Sequence, residues 1–233
     1  MLLLPYKGRI IYDGALGHTN IDFGRNMLER YLEEYVALRQ KNSVTPSLPK
    51  QESTTKIYQL KILIKGSKPP IWRRILIEDD MTYSSLHYII QDIFEWHNAH
   101  LYEFVARHRT YMDREFEDDL FEMESLDVHK YTVSEDLKNV GDKITYVYDF
   151  GDNWEHEIKL EAILEKDEDK YYPKCIKGKG RGPLEDIGGI WAYNEIVNAY
   201  KTGDKETLDE FYVDDAFDPA EFSVDEVNRR LGW

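Results

Sequence analysis

The chain has 233 residues, of which 42% are hydrophobic and 32% are charged, and its formal net charge is −15. An acidic balance argues against non-specific binding to DNA, because nucleic-acid-binding proteins use basic patches that release counterions from phosphates. The single cysteine excludes an intramolecular disulfide, and the apolar stretches fall short of the roughly 20 residues of a membrane span, so we expect a cytoplasmic protein without membrane association.

The chain is predicted to begin with a small separate unit. Residues 1–40 contain a short apolar strand that ends in an Asp-Gly turn, followed at 23–38 by apolar side chains with the three- and four-residue spacing of a helix. Residues 41–55 are rich in Ser, Thr, Asn and Pro and indicate a linker. The main domain is therefore expected to span residues 56–233.

Five strands and one helix are predicted in the first part of this domain. Alternating apolar residues at 57–65 and 71–77, on either side of a Gly-Pro turn, predict a hairpin. A helix at 85–95, capped by Thr82 or Ser84, precedes strands at 101–109, 144–150 and 154–163, with an acidic polar insertion extending to about residue 139. This order predicts an α+β fold: a β-grasp-like mixed sheet of about five strands packed on one main helix.

The remaining residues are predicted to add C-terminal helices. The glycines and three basic residues of segment 177–182 could bind a phosphate, but the segment lacks the spacing of a Walker loop. A mobile surface loop at 177–183 is the favoured interpretation. Helices are predicted at 191–201 and within 205–212. Ser223, with Glu226 three residues later, indicates a capping box at the start of a final helix.

Several short motifs occur in an order that is typical of one family. They are Pro-Ile-Trp-Arg-Arg at 70–74, Leu86-His87, Ile90-Gln91, Trp96, His-Leu-Tyr-Glu-Phe at 100–104, Tyr-Asp-Phe-Gly-Asp at 148–152, Trp154, His156, Pro173, Cys175, Glu-Asp-Ile-Gly-Gly at 185–189, and 218–222. Together they resemble the plasmid pRiA4b ORF-3-like family over about residues 56–233.

This resemblance implies an α+β, β-grasp-like domain associated with mobile elements. The family has no settled biochemical activity, although some members carry a resolvase-like transposon label. Members often have additional cysteines around the Glu-Asp-x-Gly-Gly motif. Here Gly182 and Ile187 stand at the matching positions and only Cys175 remains, so a metal site built on those cysteines would be lost or altered.

The polar corner around the turn at 151 contains the candidate site residues. His100, Asp149, Asp152 and His156 form the candidate catalytic cluster, and His100, Asp152, His156 and Cys175 are candidate metal ligands, with His87 offering a further ligand atom. No pair has the spacing of a strong metal motif. In the structural alternative, His156 is a hydrogen-bonded core residue in phase with Trp154, and the aspartates cap turn amides.

The favoured hypothesis is a non-enzymatic accessory protein of a mobile element that needs no cofactor. We expect it to bind an unknown protein partner through a sheet edge or face and its aromatic residues. The oligomeric state stays open. The alternative is a metal-dependent or nucleic-acid-processing enzyme, including a resolvase-like role. A recombinase needs arginines at the scissile phosphate, yet Arg73 and Arg74 are adjacent on a strand and point to opposite faces. An enzyme should gather the candidates in one cleft, whereas a binding module should bury His156.

Overall fold

A computed structural model describes residues 3–6, 9–12, 55–113, 125–214 and 216–232. The chain divides into two compact units, Met1–Ser53 and Thr54–Trp233. In the first unit, strand β1 (Leu3–Tyr6) pairs antiparallel with strand β2 (Arg9–Tyr12). The predicted helix at 23–38 and residues 41–54 of the predicted linker lie outside the described residues.

The second unit contains one large sheet and a set of helices. Its strands are β3 (Lys56–Ile64), β4 (Trp72–Glu78), β5 (Tyr102–Ala106), β6 (Arg109–Met112), β7 (Leu126–Asp127), β8 (Lys143–Tyr148), β9 (Trp154–Glu165) and β10 (Lys174–Lys179). Its helices are α1 (Tyr83–Phe94), α2 (Gly189–Thr202), α3 (Lys205–Glu210) and α4 (Val224–Arg230). The strand order is β10-β4-β3-β9-β8-β5-β6-β7, and each neighbouring pair is antiparallel except β6 and β7. Among the described residues, no helix is both long and apolar enough to cross a membrane.

The sheet corrects our prediction of a β-grasp-like sheet of about five strands on one main helix. It has eight strands in the described part of the chain, although the class is still α+β. Strands β6 and β7 have only four and two residues, and they flank the acidic insertion, so they carry little apolar alternation. The prediction of a single main helix was also wrong, because side chains of α2 and α4, including Tyr193, Ile196 and Val227, belong to the same buried cluster as those of α1.

The Gly-rich segment predicted as a mobile loop is partly a strand. Strand β10 ends at Lys179 and pairs with β4, with Gly178 opposite Arg73. A Cβ atom on Gly178 would lie 2.4 Å from the ring of Phe222, so only glycine lets that ring lie against the strand. The sequence hides this strand because glycine and lysine replace the apolar residues that usually mark one.

The predicted hairpin and N-caps are confirmed, whereas the capping box predicted at Ser223 is confirmed only in its N-cap hydrogen bond. Strands β3 and β4 pair antiparallel, and Thr82 Oγ1 accepts a hydrogen bond from the Ser85 amide at 3.2 Å to cap α1. Ser223 likewise accepts from the Glu226 amide at 3.3 Å at the start of α4. These signals lie within four residues of the feature that they specify, which is why the sequence reveals them.

The face of the sheet opposite α1 carries a row of basic side chains. Lys61 lies opposite Arg74 on β4 and Lys159 on β9, and Lys159 lies opposite Lys143 on β8. Arg74 contacts Glu161 at 2.5 Å, and Lys143 contacts Glu157 at 2.7 Å. Arg74 also lies over the ring of Trp72, at 5.3 Å from its centroid. Glutamates thus pair with two of these four basic residues, and like charges stand directly opposite one another along the row.

Candidate functional site

Three separate segments converge at one end of the sheet, at residues 96–101, 149–153 and 183–189, which we call the motif corner. Glu185 joins the first segment to the last: its Oε2 accepts from the amide of His97 at 3.0 Å and from His97 Nδ1 at 2.7 Å. Its Oε1 accepts from the hydroxyl of Tyr148 at 2.5 Å. Two motifs that lie far apart in the sequence, at 148–152 and 185–189, therefore meet in space.

The backbone at the motif corner turns sharply. Asn98, Asp149, Asn153 and Asp186 all have φ between 53° and 59°, in the left-handed region that aspartate and asparagine tolerate best among residues with a side chain. Gly189 has φ 77°, and a Cβ on it would lie 2.3 Å from the carbonyl oxygen of Asp152. The start of α2 can therefore approach the turn at 149–153 only because residue 189 is glycine.

A histidine and two aspartates lie at the centre of the motif corner. His100 Nε2 is 3.0 Å from Asp186 Oδ1 and 3.8 Å from Asp149 Oδ2. The second oxygen of Asp149 accepts from the Gly151 amide at 2.9 Å, which fixes the carboxylate. Sequence reasoning named His100 and Asp149 but missed Asp186, although it had used the Glu-Asp-x-Gly-Gly motif that contains this residue for the family resemblance.

The other candidate residues have different surroundings. Asp152 Oδ2 accepts from the Gly188 amide at 3.1 Å, so it holds the loop before α2. His156 is fully buried beneath the corner, with its Nδ1 donating to the carbonyl of Trp154 at 2.9 Å, and burial lowers its pKa to about 4. Cys175 is buried on β10, where burial raises the pKa of its thiol. The structure thus brings His100, Asp149 and Asp152 to the motif corner, whereas His156 lies in the core and Cys175 lies on an edge strand.

A sequence comparison supplies the family. The family model described as "Plasmid pRiA4b ORF-3-like protein" matches residues 56–226, which is most of the chain. The chain belongs to the plasmid pRiA4b ORF-3-like family. The predicted resemblance is thereby confirmed, and it covers every segment of the motif corner.

Two relatives of this pRiA4b ORF-3-like chain have no assigned activity. The uncharacterized protein y4hQ of Sinorhizobium fredii is 32% identical over 146 residues, which cover 61% of this chain and 72% of y4hQ. The crystal structure of MM3350, a protein of unknown function from Methanosarcina mazei Go1, matches with a TM-score of 0.64 and 33% identity, over 75% of this chain and 98% of MM3350. Membership of this family therefore supports the fold but assigns no reaction to the chain.

His87 supports the motif corner from inside the core. Its Nδ1 lies 2.8 Å from the hydroxyl of Tyr146 and its Nε2 lies 2.7 Å from Asn98 Oδ1, while its ring stacks on Tyr102 at 3.5 Å between centroids. Burial lowers the pKa of His87 to about 3, so it is neutral near pH 7. We interpret His87 as a positioning residue, because it holds the segment that carries His100.

Three exposed apolar side chains lie next to the polar residues of the motif corner in the sequence. Leu101 follows His100 and is 38% exposed, and Phe150 follows Asp149 and is 42% exposed. Trp191, in the first turn of α2 two residues after Gly189, is 84% exposed. We call Leu101, Phe150 and Trp191 the apolar rim. An acidic centre with an exposed tryptophan nearby resembles a binding surface more than a solvated turn.

The arginine that a recombinase would need serves the fold instead. Arg73 is 1% exposed, and its Nε donates to the carbonyl of Ile93 at the end of α1 at 3.0 Å. Its guanidinium lies between the rings of Phe94 and Phe222, at 5.0 and 4.5 Å from their centroids. Burial lowers its pKa to about 10, so it remains charged at pH 7 and stabilises the negative end of the helix.

Proposed function

We propose that this chain is a non-enzymatic docking module, whose motif corner binds a basic segment of a protein partner. The observation that carries the proposal is Trp191, which is 84% exposed in the first turn of a helix that begins against an acidic corner. Burying a tryptophan of this exposure is a large gain for a complex, and tryptophan is enriched among the residues that dominate binding energy.

The negative charge of the motif corner indicates which class of partner it would attract. The contacts at the corner involve the carboxylates of Asp149, Asp152, Glu185 and Asp186 and the imidazoles of His97 and His100, with no lysine or arginine among the described groups in these contacts. Carboxylates attract Lys and Arg side chains, and an arginine can also stack on an exposed indole. The open sheet face carries the basic row of Arg74, Lys61, Lys159 and Lys143, so it offers a basic segment no comparable attraction.

The same charge opposes the alternative of an enzyme that processes nucleic acid. A phosphate would be repelled by these carboxylates, and the guanidinium of Arg73 is committed to backbone carbonyls and two rings. The name of the family refers to a plasmid, and we extend the proposal to an accessory role in a mobile element, whose own proteins are the first partners to examine.

Selection of phage-displayed peptides on the whole protein, in buffer with EDTA at low ionic strength, tests the docking function. We expect the selected peptides to be rich in Lys and Arg and to bind more weakly as salt is added, because the attraction is screened. Trp191→Ala should weaken a selected peptide at least about fivefold. Tyr212→Ala is the matched control, since Tyr212 is 93% exposed after α3, away from the corner in sequence.

Two outcomes would contradict docking at the motif corner. Selection could yield acidic or purely apolar peptides, which would exclude the charge argument. Alternatively, Trp191→Ala and Tyr212→Ala could leave the same affinity, which would exclude the apolar rim as the contact surface.

A further inference from the structure

The ligand atoms of His100, Asp149 and Asp186 are close enough to share one ion. One nitrogen or oxygen from each residue lies within 4.8 Å of the other two, and two of these separations are 3.0 and 3.8 Å. Donor atoms about 2.0–2.1 Å from a tetrahedral zinc ion stand about 3.4 Å from one another. These two separations bracket the value that a bound ion would impose, and rotation of the Asp186 side chain, which is 72% exposed, can shorten the third.

His100 offers its free nitrogen to the two carboxylates. Its Nε2 is inaccessible to solvent and makes no hydrogen bond among the described residues, although Asp186 Oδ1 lies 3.0 Å away. A buried ring nitrogen without a partner is uncommon and requires a reason. The ring of Tyr148 lies edge-on to the imidazole, with 5.8 Å between the ring centroids.

The supporting contacts also suit an ion site. The Gly151 amide binds the second oxygen of Asp149 at 2.9 Å, so the first oxygen points toward His100 in a fixed orientation. Outer hydrogen bonds of this kind orient the ligands of protein metal sites. Each of the three residues comes from a different segment of the motif corner, so an ion would tie the three segments together.

We propose that His100 Nε2, Asp149 Oδ2 and Asp186 Oδ1 bind one divalent transition-metal ion of the Zn²⁺, Co²⁺ or Mn²⁺ type. Imidazole with two carboxylates suits these ions, whereas Mg²⁺ and Ca²⁺ prefer sites made of oxygen alone. Three protein ligands leave at least one position for water or for a ligand atom from a partner. This inference does not rest on the docking function, because it concerns the chain alone.

Titration of the metal-free whole protein with Zn²⁺, and separately with Co²⁺, tests the site. The protein is treated with EDTA, dialysed and freed of any affinity tag, and no peptide is present. We expect one ion per chain by calorimetry and visible Co²⁺ absorption bands that report coordination by the protein. Asp186→Asn should lower the affinity at least about tenfold, because an amide oxygen carries no charge.

A second histidine provides the matched control. His129 Nε2 lies 3.3 Å from Asp113 Oδ2, so it pairs with one carboxylate outside the motif corner, and His129→Ala should leave the affinity unchanged. Asp186→Asn removes no described hydrogen bond, and its melting temperature serves to verify folding. The proposal is wrong if the folded protein binds no ion, if Asp186→Asn binds as tightly as the original chain, or if His129→Ala removes binding.

Discussion

His156 and His87 make the core sensitive to acid. Both are fully buried and neutral, and burial lowers their pKa values to about 4 and about 3, below the roughly 6.5 of the unfolded chain. From pH 6.5 down to pH 4 the unfolded state therefore binds protons that the folded state does not. We expect the free energy of unfolding to fall over this window by up to roughly 1.4 kcal/mol per pH unit for each histidine.

Urea denaturation at pH 7, 5.5 and 4.5 measures this dependence. The variant His156→Gln should be less stable at pH 7, since it disturbs a packed core, yet its stability should change less between pH 6.5 and 4. Replacement of the exposed His129 should preserve the full slope. An unchanged slope in His156→Gln would mean that other groups control acid unfolding.

A comparison of Gly189→Ala with Gly203→Ala separates the stability cost of a close backbone contact from the cost of a left-handed φ. Gly189→Ala places a Cβ 2.3 Å from the Asp152 carbonyl oxygen at φ 77°, whereas Gly203→Ala has a similar φ of 73° with no atom within 4 Å. Gly203→Ala should cost about 1 kcal/mol, the typical penalty of a left-handed alanine. Gly189→Ala should cost at least about 2 kcal/mol more by denaturant unfolding. Equal costs would show that α2 does not need its close approach to the turn.

Among elements, the edge strand β10 depends on one asparagine of α4. The Asn228 side chain accepts from the Cys175 amide at 2.8 Å and donates to the Cys175 carbonyl at 2.9 Å, so it replaces a neighbouring strand at that residue. Asn228→Ala should leave two buried backbone groups unpaired and cost about 1–3 kcal/mol. It should also speed the reaction of the only cysteine with a thiol reagent, because opening of the edge exposes Cys175.

The conservative variant Asn228→Asp separates the two hydrogen bonds. It retains the acceptor for the Cys175 amide but places a carboxylate against the Cys175 carbonyl, so its thiol reactivity should also exceed that of the original chain. If the reactivity in both variants equals that of the original chain, Asn228 does not protect the edge.

The elements that could be predicted from the sequence are those specified by residues close to them in the chain. Helix α1 and the β3–β4 hairpin follow from apolar spacing and from Thr82, all within one segment. Strand β10 depends on space for the Phe222 ring at Gly178, a residue 44 positions away along the chain. The motif corner is an intermediate case: the turn with Asp149 and Asp152 is local, but Asp186 joins it only through the sheet topology and the packing of Gly189.

At the scale of the whole molecule, the net charge of −15 conceals an uneven distribution. The open sheet face carries a row of basic side chains across β4, β3, β9 and β8, with Lys61 directly opposite both Arg74 and Lys159. The motif corner instead gathers carboxylates without a lysine or arginine in its described contacts. Since screening reaches about 10 Å at 0.1 M salt, a partner responds to this local excess more than to the total charge. The local charge of the motif corner thus repels phosphate and suits the basic partner that we propose.

A bound ion and a basic partner should compete, because both are drawn to Asp149 and Asp186. A divalent ion adds two positive charges to the motif corner, so saturating Zn²⁺ should weaken the binding of a basic peptide several-fold at low ionic strength. Fluorescence anisotropy of the labelled peptide, with EDTA or with Zn²⁺, measures this effect. In Asp186→Asn, Zn²⁺ should have little influence on peptide affinity. If Zn²⁺ strengthens binding in the original chain and not in the variant, the ion bridges to the partner, and the two ligands cooperate at this corner.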